Sequence, residues 1–450
     1  MPENPDQQNV RSAAAEPPVD VGTARGAAVE APSAKRNVVK TLGLGVITGA
    51  ADNDPSAIGT YASAGAKFGF GFLWAAPLLL PMMFTVVYLS AKLGQVSGRG
   101  LFHAIRDFYP GWVLYTTLVG VCIGNTIGAA ADLGGIAAVV NLFVPIPIPW
   151  LVVATAAGML ALQIFASYMF IRHVFRWLTL ALLSYVGAAV LAKPQILEIF
   201  RATAIPRIEF TQEFLAILVA IIGTSLSAYL YTWQSNQEVE EEIAGGRTRL
   251  SERIGATQRE LRKTQHDVLV GMAIANIVMY SIMVATGATL HPAGTHDIEN
   301  AAQAAEALRP VAGDAAGLLF AAGLIGVGLI AIPVMTAGAA YNLGQALGWK
   351  HCSLHAKPNE AKKFYMAVVG FTAVAVALNF AGFNPMKALV WAGIVQGFCA
   401  PPLLLLIVLM TNNRRIMGDK VNTRRMNVLA WTTTVAIFLA TAGLVATWLM

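Results

Sequence analysis

The sequence has few charged residues and few cysteines, and it lacks the common enzyme motifs. Asp, Glu, Lys and Arg make up 12% of its 450 residues and hydrophobic residues 56%, whereas a soluble domain carries about 25% charged residues. The three cysteines are too scattered for a disulfide framework. Because no HExxH, GxSxG or Walker-type sequence occurs, nothing predicts an enzyme or a cofactor. The mean hydropathy of +0.59 instead predicts a polytopic membrane protein.

The distribution of charge limits the partners that we expect. The net charge of +6 comes from Lys and Arg between hydrophobic segments, where membrane topology explains them and no nucleic-acid partner is needed. Residues 1–38 contain no apolar run, so they are not a signal peptide, and we expect a disordered cytoplasmic tail. The lipid bilayer is the partner that composition predicts, and no obligate protein partner is implied.

Eleven stretches are long and apolar enough to span a membrane, which takes about 20 mostly apolar residues. Numbered in chain order, predicted spans 1 to 11 are Val39–Lys67, Phe70–Gln95, Trp112–Phe143, Pro147–Phe170, Val174–Leu191, Phe214–Gln234, Val268–Leu290, Ala315–Leu347, Phe364–Ala381, Met386–Met410 and Val428–Met450. With the N-terminus inside and the C-terminus outside, all but six of the 31 Lys and Arg residues fall on the cytoplasmic side. The longest charged segment, residues 236–267, is then a cytoplasmic loop, and we expect a solvated helix in it.

Predicted span 1 is interrupted by three polar residues and a proline. Asp52, Asn53 and Asp54 follow one another in its middle, and Pro55 comes next. Proline removes a backbone donor and clashes with the preceding turn, so we expect the helix to break there. A carboxylate at bilayer depth is costly unless it meets water, a cation or a hydrogen-bond donor. A broken helix with a buried carboxylate is typical of a cation site in a transporter.

Predicted span 6 has a weaker interruption. Its apolar run stops at Gly223 and gives way to Thr224, Ser225 and Ser227, and glycine and hydroxyl residues weaken a helix. Small residues here also permit close helix packing, which is the alternative interpretation. Spans 1 and 6 begin two five-helix halves, and paired interruptions at corresponding positions point to the binding site of an inverted-repeat transporter.

The segments around these interruptions resemble those of the NRAMP metal-ion transporters. The sequence ADNDPSAIGTYASAGAKFGFGFLW, residues 51–74, resembles the first helix of that family, whose signature there is Asp-Pro-Gly-Asn. The resemblance covers nearly all of Lys40–Met410 and includes SAKLGQVSGRGL at the end of span 2 and NPMKAL at the start of span 10. It implies an all-α polytopic membrane protein with a LeuT-type 5+5 inverted repeat, broken helices 1 and 6, and alternating access.

This fold implies a division of the chain into four parts. The tail is residues 1–38, and the first five-helix repeat is residues 39–192. The second repeat is residues 193–411, which include the cytoplasmic loop 236–267. Residues 412–450 are a linker and the eleventh helix.

The resemblance also implies where a metal ion binds. In the family the ion lies between broken helices 1 and 6. Its ligands are the Asp and Asn of helix 1, a Met of helix 6, and backbone carbonyls from both breaks. Here Asp54 and Pro55 match the signature, whereas Ser56 takes the Gly position and Ala57 takes the Asn position. One side-chain oxygen is therefore lost.

Helix 6 departs further from the family. Ser227, Ala228 and Tyr229 stand where the family has Met, Pro and His. A thioether suits transition metals, whereas hydroxyl, carbonyl and water oxygens suit Mg²⁺ and Mn²⁺, and Mg²⁺ usually keeps several waters. These departures are most similar to the NRAMP-related magnesium transporter branch, as is the run WQSNQEVEEE, residues 233–242. The metal-site residues expected on this basis are Asp54, Ala51, Ala57, Thr224 and Ser227.

Other polar residues are expected in the vestibule or the hydration shell of the ion. Asp52 points to a different side of helix 1 from Asp54, so it either lines an aqueous vestibule or bonds to a neighbouring helix. Gln396 lies where family members carry a Gln near the metal, and it bonds either to a metal-bound water or to another helix. The residues expected in this outer group are Asp52, Asn53, Tyr229, Asp132 and Gln396.

Helix 3 bears on proton coupling. In proton-coupled family members it carries an Asp and, three residues later, a Glu. Here Asp132 matches the Asp, but Gly135 takes the place of the Glu, and Tyr229 replaces the His of helix 6. Tyr titrates near 10, so two groups that exchange protons near neutral pH are missing. The expectation is uniport of the cation down its electrochemical gradient.

The sequence therefore predicts a secondary transporter of divalent metal cations in a bacterial inner membrane, with Mg²⁺ favoured and Mn²⁺ also carried. One alternative is a proton-coupled Mn²⁺/Fe²⁺ importer of the standard NRAMP kind, which Ser227 and Tyr229 disfavour. A more remote alternative is an amino-acid or other organic-solute permease on the same fold. Asp54 disfavours it because a carboxylate at the break repels a substrate carboxylate.

Overall fold

The computed structural model describes residues 43–165, 184–354 and 356–449, and in those ranges every regular element is a helix. In chain order the helices are α1 Leu44–Asp52, α2 Pro55–Phe68, α3 Ala75–Ser97, α4 Leu101–Phe108, α5 Gly111–Val140, α6 Ile148–Phe165, α7 Ile196–Ala204, α8 Gln212–Ser225, α9 Ala228–Ala244, α10 Leu250–Arg253, α11 Gln258–Thr289, α12 Ala301–Glu306, α13 Arg309–Ala312, α14 Ala316–Ala346, α15 Lys362–Asn379, α16 Pro385–Asn412, α17 Arg414–Met417 and α18 Arg424–Leu449. Residues 184–191 are also helical. The predicted tail, the start of span 1 and the adjoining parts of spans 4 and 5 lie outside the described residues.

Within those residues, nine stretches are long and apolar enough to cross a membrane. They are α3, α5, α6, α8 with α9, α11, Gly313–Ala346, α15, α16 and α18. The number is below the eleven predicted spans for two reasons. Span 1 is divided into helices of 9 and 14 residues, each shorter than the about 20 residues that a span needs. Most of span 5 falls outside the described residues. The protein is an integral, multi-pass membrane protein.

The first break lies at Asn53 and Asp54. Helix α1 ends at Asp52, and Asn53 then leaves helical geometry with φ −90° and ψ 48°. Asp54 is extended and forms the N-cap of α2, where its side chain accepts a hydrogen bond from the Ala57 amide. Pro55 is the first residue of α2, a position where its missing N–H costs nothing. The chain therefore stops one helix and starts another within predicted span 1.

The second break lies at Leu226 and Ser227, between α8 and α9. It lies at the end of the stretch that the sequence marks, since α8 continues through Gly223 to Ser225. Gly223 has a packing role instead, since a Cβ on it would overlap the backbone carbonyl of Gly393 in α16. The Ser227 hydroxyl lies 2.8 Å from the Gly223 carbonyl oxygen and so covers an acceptor that the end of α8 leaves unpaired.

The charged segment after span 6 begins as a buried helix, which corrects the expectation of a solvated loop from residue 236. Helix α9 continues to Ala244, and its Glu238 side chain is buried. The Glu238 carboxylate accepts hydrogen bonds of 2.8 Å from Gln234 and from Gln95 of α3. Gln234 of the same helix and Gln95 of a neighbouring one therefore satisfy this carboxylate in place of water, and the charge pattern of the sequence does not reveal the neighbouring helix.

The two broken helices lie at the centre of the protein. Helix α2 contacts α5, α8, α11 and α16, and α9 contacts α3 and α14. In the most apolar window of Gln212–Ala244, 94% of residues are buried, against 28% in α6 and in α15. The unbroken helices α6 and α15 therefore form part of the periphery, while the breaks are enclosed by protein, as irregular backbone at membrane depth requires.

Helix α1 packs against α11 through glycines. A Cβ on Gly271 of α11 would overlap the carbonyl of Gly45, and a Cβ on Gly49 would overlap the carbonyl of Gly271. The Gly45 amide also donates to the Asp267 carboxylate at 2.6 Å, which satisfies a donor in the first turn of α1. A helix of nine residues is not stable alone, so these contacts hold α1 in place.

We expect Gly271→Ala to destabilise the protein by about 1–3 kcal/mol, because the added methyl group forces α1 and α11 apart. The measurement is the unfolding temperature of the purified protein in detergent. Gly370→Ala in α15 is the matched control, since a Cβ there meets nothing within 4 Å and Ala is the better helix former. An equal fall in both variants would contradict the close packing of α1 on α11.

Candidate functional site

Asp54 is the best-connected side chain between the two breaks. It is fully buried, at 0% exposure. Its Oδ1 atom accepts hydrogen bonds from the Ser56 hydroxyl and the Ala57 amide, each at 2.6 Å. Its Oδ2 atom accepts from the Tyr229 hydroxyl at 2.8 Å. Three donors thus satisfy a carboxylate that would be very costly to bury without partners.

The Tyr229 hydroxyl joins the two breaks. Tyr229 lies in the first turn of α9, and its hydroxyl is 2.8 Å from Asp54 Oδ2 and also 2.8 Å from the carbonyl oxygen of Ala51. A hydroxyl has one proton to donate, so two acceptors share it. The Ala51 carbonyl oxygen and Asp54 Oδ2 therefore lie close to the same point, and each of them can accept a hydrogen bond or ligate a cation.

A second link joins the helices on the other side of the breaks. The Tyr61 hydroxyl of α2 lies 2.9 Å from the hydroxyl of Ser225, the last residue of α8. Both residues are buried. Tyr61 and Tyr229 thus hold the two broken helices together on either side of their interruptions.

Asp132 of α5 adds a second carboxylate to the start of α2. Its Oδ1 atom accepts a hydrogen bond from the Ser56 amide at 2.9 Å, while Asp54 accepts from the amide of Ala57. Two carboxylates therefore satisfy successive N–H groups at a helix N-terminus, where the helix dipole favours negative charge. The observed bond gives Asp132 a structural contact at the break.

The expected metal-site residues fall into two groups. Asp54, Ala51 and Ala57 meet around the first break, where Ala57 contributes its amide and a methyl group but no side-chain oxygen. Thr224 and Ser227 meet at the second break, where the Ser227 hydroxyl lies 2.7 Å from the Thr224 carbonyl oxygen. Since that hydroxyl donates to backbone carbonyls, its oxygen keeps lone pairs for a further donor or a cation.

Several residues expected in the outer group have buried side-chain atoms without hydrogen-bond partners. In the described part of the chain, this holds for both carboxylate oxygens of Asp52, for Asn53 Oδ1, for Asp132 Oδ2 and for both amide atoms of Gln396. Each such atom costs about 1–3 kcal/mol if it stays unpaired. Residues 43–165, 184–354 and 356–449 contain no group of three or more His, Cys, Asp or Glu side chains arranged to hold a metal ion.

The sequence analysis assigns no site role to Ser56, Tyr61 or Ser225. A local signal existed for Ser56, because Asp followed by Pro at the start of a helix is a typical N-cap pattern, which places nearby N–H and hydroxyl groups on the Asp. Tyr61 and Ser225 are 164 positions apart, and nothing in the sequence pairs them.

The chain matches a known family and a curated relative over most of its length. The family described as Nramp, "Natural resistance-associated macrophage protein-like", matches residues 45–447. The divalent metal cation transporter MntH of Deinococcus radiodurans is 25% identical over 422 residues, which cover 92% of this chain and 91% of that relative.

Solved structures share the fold at low identity. A manganese transporter of Eremococcus coleocola, solved with an aromatic bis-isothiourea substituted compound, is 17% identical, with a TM-score of 0.67 over 89% of this chain and 84% of that one. MhsT, solved in complex with L-phenylalanine, is 11% identical, with a TM-score of 0.56 over 90% of this chain and 98% of that one. At these identities the likeness shows the fold alone, which is all-helical and LeuT-like.

Proposed function

The chain belongs to the Nramp family, and from this membership we propose that it is a secondary transporter that moves divalent metal cations across a membrane by alternating access. It is a transporter and not an enzyme. The observation that carries the proposal is the meeting of two helix breaks at one buried carboxylate, Asp54. Half-helix ends and unwound carbonyls at such breaks bind cations in transporters.

The proposal includes the full architecture of the chain. In this proposal the chain has eleven membrane helices. Ten of them form two inverted repeats, at residues 39–192 and 193–411. A tail precedes the repeats, and a linker and the eleventh helix follow them. The breaks then fall in the first helix of each repeat. We place the protein in a bacterial inner membrane with the N-terminus in the cytoplasm, because that orientation puts most Lys and Arg on the cytoplasmic side.

In the proposed site, oxygen atoms surround a cation that keeps part of its hydration shell. Asp54 supplies the charge, Ala51 a carbonyl, Thr224 and Ser227 hydroxyl and carbonyl oxygens, and Ala57 leaves room for water. The Tyr229 hydroxyl supports this arrangement, since it lies 2.8 Å from both Ala51 O and Asp54 Oδ2. The hydroxyl thereby holds the Ala51 carbonyl oxygen and Asp54 Oδ2 close to each other, as two ligands of one cation would be.

We propose Mg²⁺ as the favoured substrate and Mn²⁺ as a second one, as in the NRAMP-related magnesium transporter branch. The support is the chemistry of the donors: the helix 6 position that holds a Met in standard family members is Ser227. Hydroxyl, carbonyl and water oxygens are hard ligands, and without a thioether the site does not favour a softer ion over Mg²⁺.

We also propose that transport is uncoupled from protons. Gly135, at the position of a relay Glu, has the side chain of Leu389 as its nearest neighbour, 3.1 Å from where a Cβ would lie. The three atoms nearest to that Cβ position all belong to Leu389, and Gly135 itself has no titratable group that could relay a proton. Tyr229 stands at the position of a relay His, and its hydroxyl donates to the Ala51 carbonyl and to the Asp54 carboxylate.

The main alternative is a proton-coupled Mn²⁺/Fe²⁺ importer of the standard NRAMP kind. The name of one relative, a manganese transporter, favours Mn²⁺ as a substrate, while that of the other, a divalent metal cation transporter, fits both functions. An organic-solute permease is a remote alternative, because a likeness at 11% identity to a structure with bound phenylalanine shows only the fold. The experiments below distinguish these functions.

We expect Asp54→Asn to weaken Mg²⁺ and Mn²⁺ binding roughly tenfold to hundredfold, because it removes a charge-assisted ligand while keeping the side-chain size. Isothermal titration of the purified protein measures the affinity. Asp419→Asn is the control, since that carboxylate is exposed and pairs only with its neighbour Lys420 among the described residues. Unchanged affinity in Asp54→Asn, or an equal loss in the control, would exclude Asp54 as a ligand.

We expect Ser227→Met to shift preference from Mg²⁺ toward Mn²⁺ and Cd²⁺, because a thioether favours softer ions. The measurement is the competition of Mg²⁺ against Mn²⁺ uptake in liposomes. Ser227→Ala serves as the control that removes the hydroxyl without adding sulfur. The same selectivity in all three proteins would refute the proposed role of the second break.

We expect uptake of Mg²⁺ or Mn²⁺ to proceed without proton movement, because relay groups are missing at Gly135 and Tyr229. Liposomes that hold a pH-sensitive dye and a metal-sensitive dye report both fluxes together. A proton flux that rises with metal uptake, or metal uptake driven by a pH gradient alone, would favour the proton-coupled alternative.

A further inference from the structure

Asp52 is the least satisfied ionisable side chain near the breaks. It is the last residue of α1 and is 1% exposed. Neither of its carboxylate oxygens has a hydrogen-bond partner in the described part of the chain. Asp54, two positions later, accepts three hydrogen bonds. At the first break Asp52 therefore has both carboxylate oxygens unused, whereas Asp132 has only Oδ2 unused.

The position of Asp52 is also the least favourable for a negative charge. Asp54 and Asp132 accept from the first N–H groups of α2, at the positive end of a helix dipole. Asp52 lies at the C-terminal end of α1, where unpaired carbonyls make the electrostatic potential negative. Asp54 is also close enough to repel a charge on Asp52.

In the part of the chain that the structure describes, no side chain of opposite charge pairs with Asp52. The ion pairs formed within residues 43–165, 184–354 and 356–449 involve Lys67, Arg99, His103, Arg106, Arg247, Arg309 and Lys420, and all of them have other partners. A buried carboxylate with neither a donor nor a cation is strongly unfavourable. Among the described residues, Asp52 therefore has no partner, which leaves its carboxylate available to a bound cation.

Charge balance indicates the class of that cation. A divalent cation carries two positive charges, and Asp54 supplies one negative charge, which is already shared among three donors. Asp52 would supply a second negative charge beside Asp54, and carbonyls at the end of α1, of which that of Ala51 accepts a hydrogen bond from Tyr229, would add hard oxygen ligands. Asp52 lies at that helix end and has both oxygens free.

We infer that Asp52 is a second cation-binding carboxylate, which ligates a divalent cation directly together with the carbonyl end of α1. This inference rests on the proposed function and deepens it: the substrate is a hard divalent ion held by two carboxylates, one on each side of the first break. Asp54 is then the hydrogen-bonded carboxylate of the pair, and Asp52 is the one that is free to move onto the ion.

The test compares Asp52→Asn, Asp52→Glu and Asp54→Asn with the wild-type chain, by titration with Mn²⁺ and by melting temperature with and without Mn²⁺. We expect Asp52→Asn to bind Mn²⁺ roughly tenfold to hundredfold more weakly and to lose most of the ion-induced rise in melting temperature. Without the ion, its melting temperature should be equal to or higher than that of the wild type, because an uncompensated buried carboxylate is gone.

Two further variants separate ligation from a purely structural role. Asp52→Glu keeps the charge and should retain part of the binding, whereas Asp314→Asn removes an exposed carboxylate and should leave binding unchanged. If Asp52→Asn does not fold, Asp52→Ser provides a smaller neutral side chain for the same titration.

The outcomes distinguish this inference from the proposed function. Wild-type Mn²⁺ affinity in Asp52→Asn, together with weak binding in Asp54→Asn, would overturn the role of Asp52 and leave the transporter site in place. A lower melting temperature without the ion and unchanged affinity would show that Asp52 is structural. No binding of Mn²⁺ or Mg²⁺ by the wild-type chain would overturn both.

Discussion

A helix that breaks inside a membrane leaves N–H and C=O groups that lipid cannot satisfy. The structure meets this constraint with side chains at the breaks themselves and with side chains from other helices. Asp54 and Asp132 cover amides at the start of α2, and Ser227 covers carbonyls at the end of α8. The Tyr229 hydroxyl covers the Ala51 carbonyl near the end of α1. The ends of one broken helix are therefore partly satisfied by residues of the other, which explains why the breaks lie face to face.

Because the breaks depend on groups from other helices, the helices around them have to hold fixed positions. Short half-helices such as α1 gain little from their own hydrogen bonds, so close packing has to hold them. The glycines at 45, 49 and 271 bring α1 onto α11 at backbone distance, and Gly223 does the same for α8 on α16. Backbones in such contact enclose the polar breaks and keep lipid away from Asp54.

The membrane spans and the first break could be predicted from the sequence because their signals are local. Hydropathy identifies a span from about 20 successive residues, and an Asp-Pro pair both ends a helix and caps the next. The second break falls at the end of the stretch that the sequence marks, because Gly223, at its start, is a packing residue inside α8. The burial of Glu238 and the link between Tyr61 and Ser225 depend on helices far apart in sequence, so no local pattern predicts them.

The hydrogen bonds of Asp54 limit how a cation binds there. If an ion ligates Oδ2 or the Ala51 carbonyl directly, it competes with the Tyr229 hydroxyl that bridges these two oxygens. On the proposed function, binding then releases Tyr229 and weakens one of the links between α9 and the first break, while the Tyr61–Ser225 link remains. When the cation displaces this single hydroxyl, occupancy of the site is coupled to the movement of one half-helix against another. Alternating access requires such a coupling. This coupling needs no titratable relay, since the group that the cation displaces is a neutral hydroxyl.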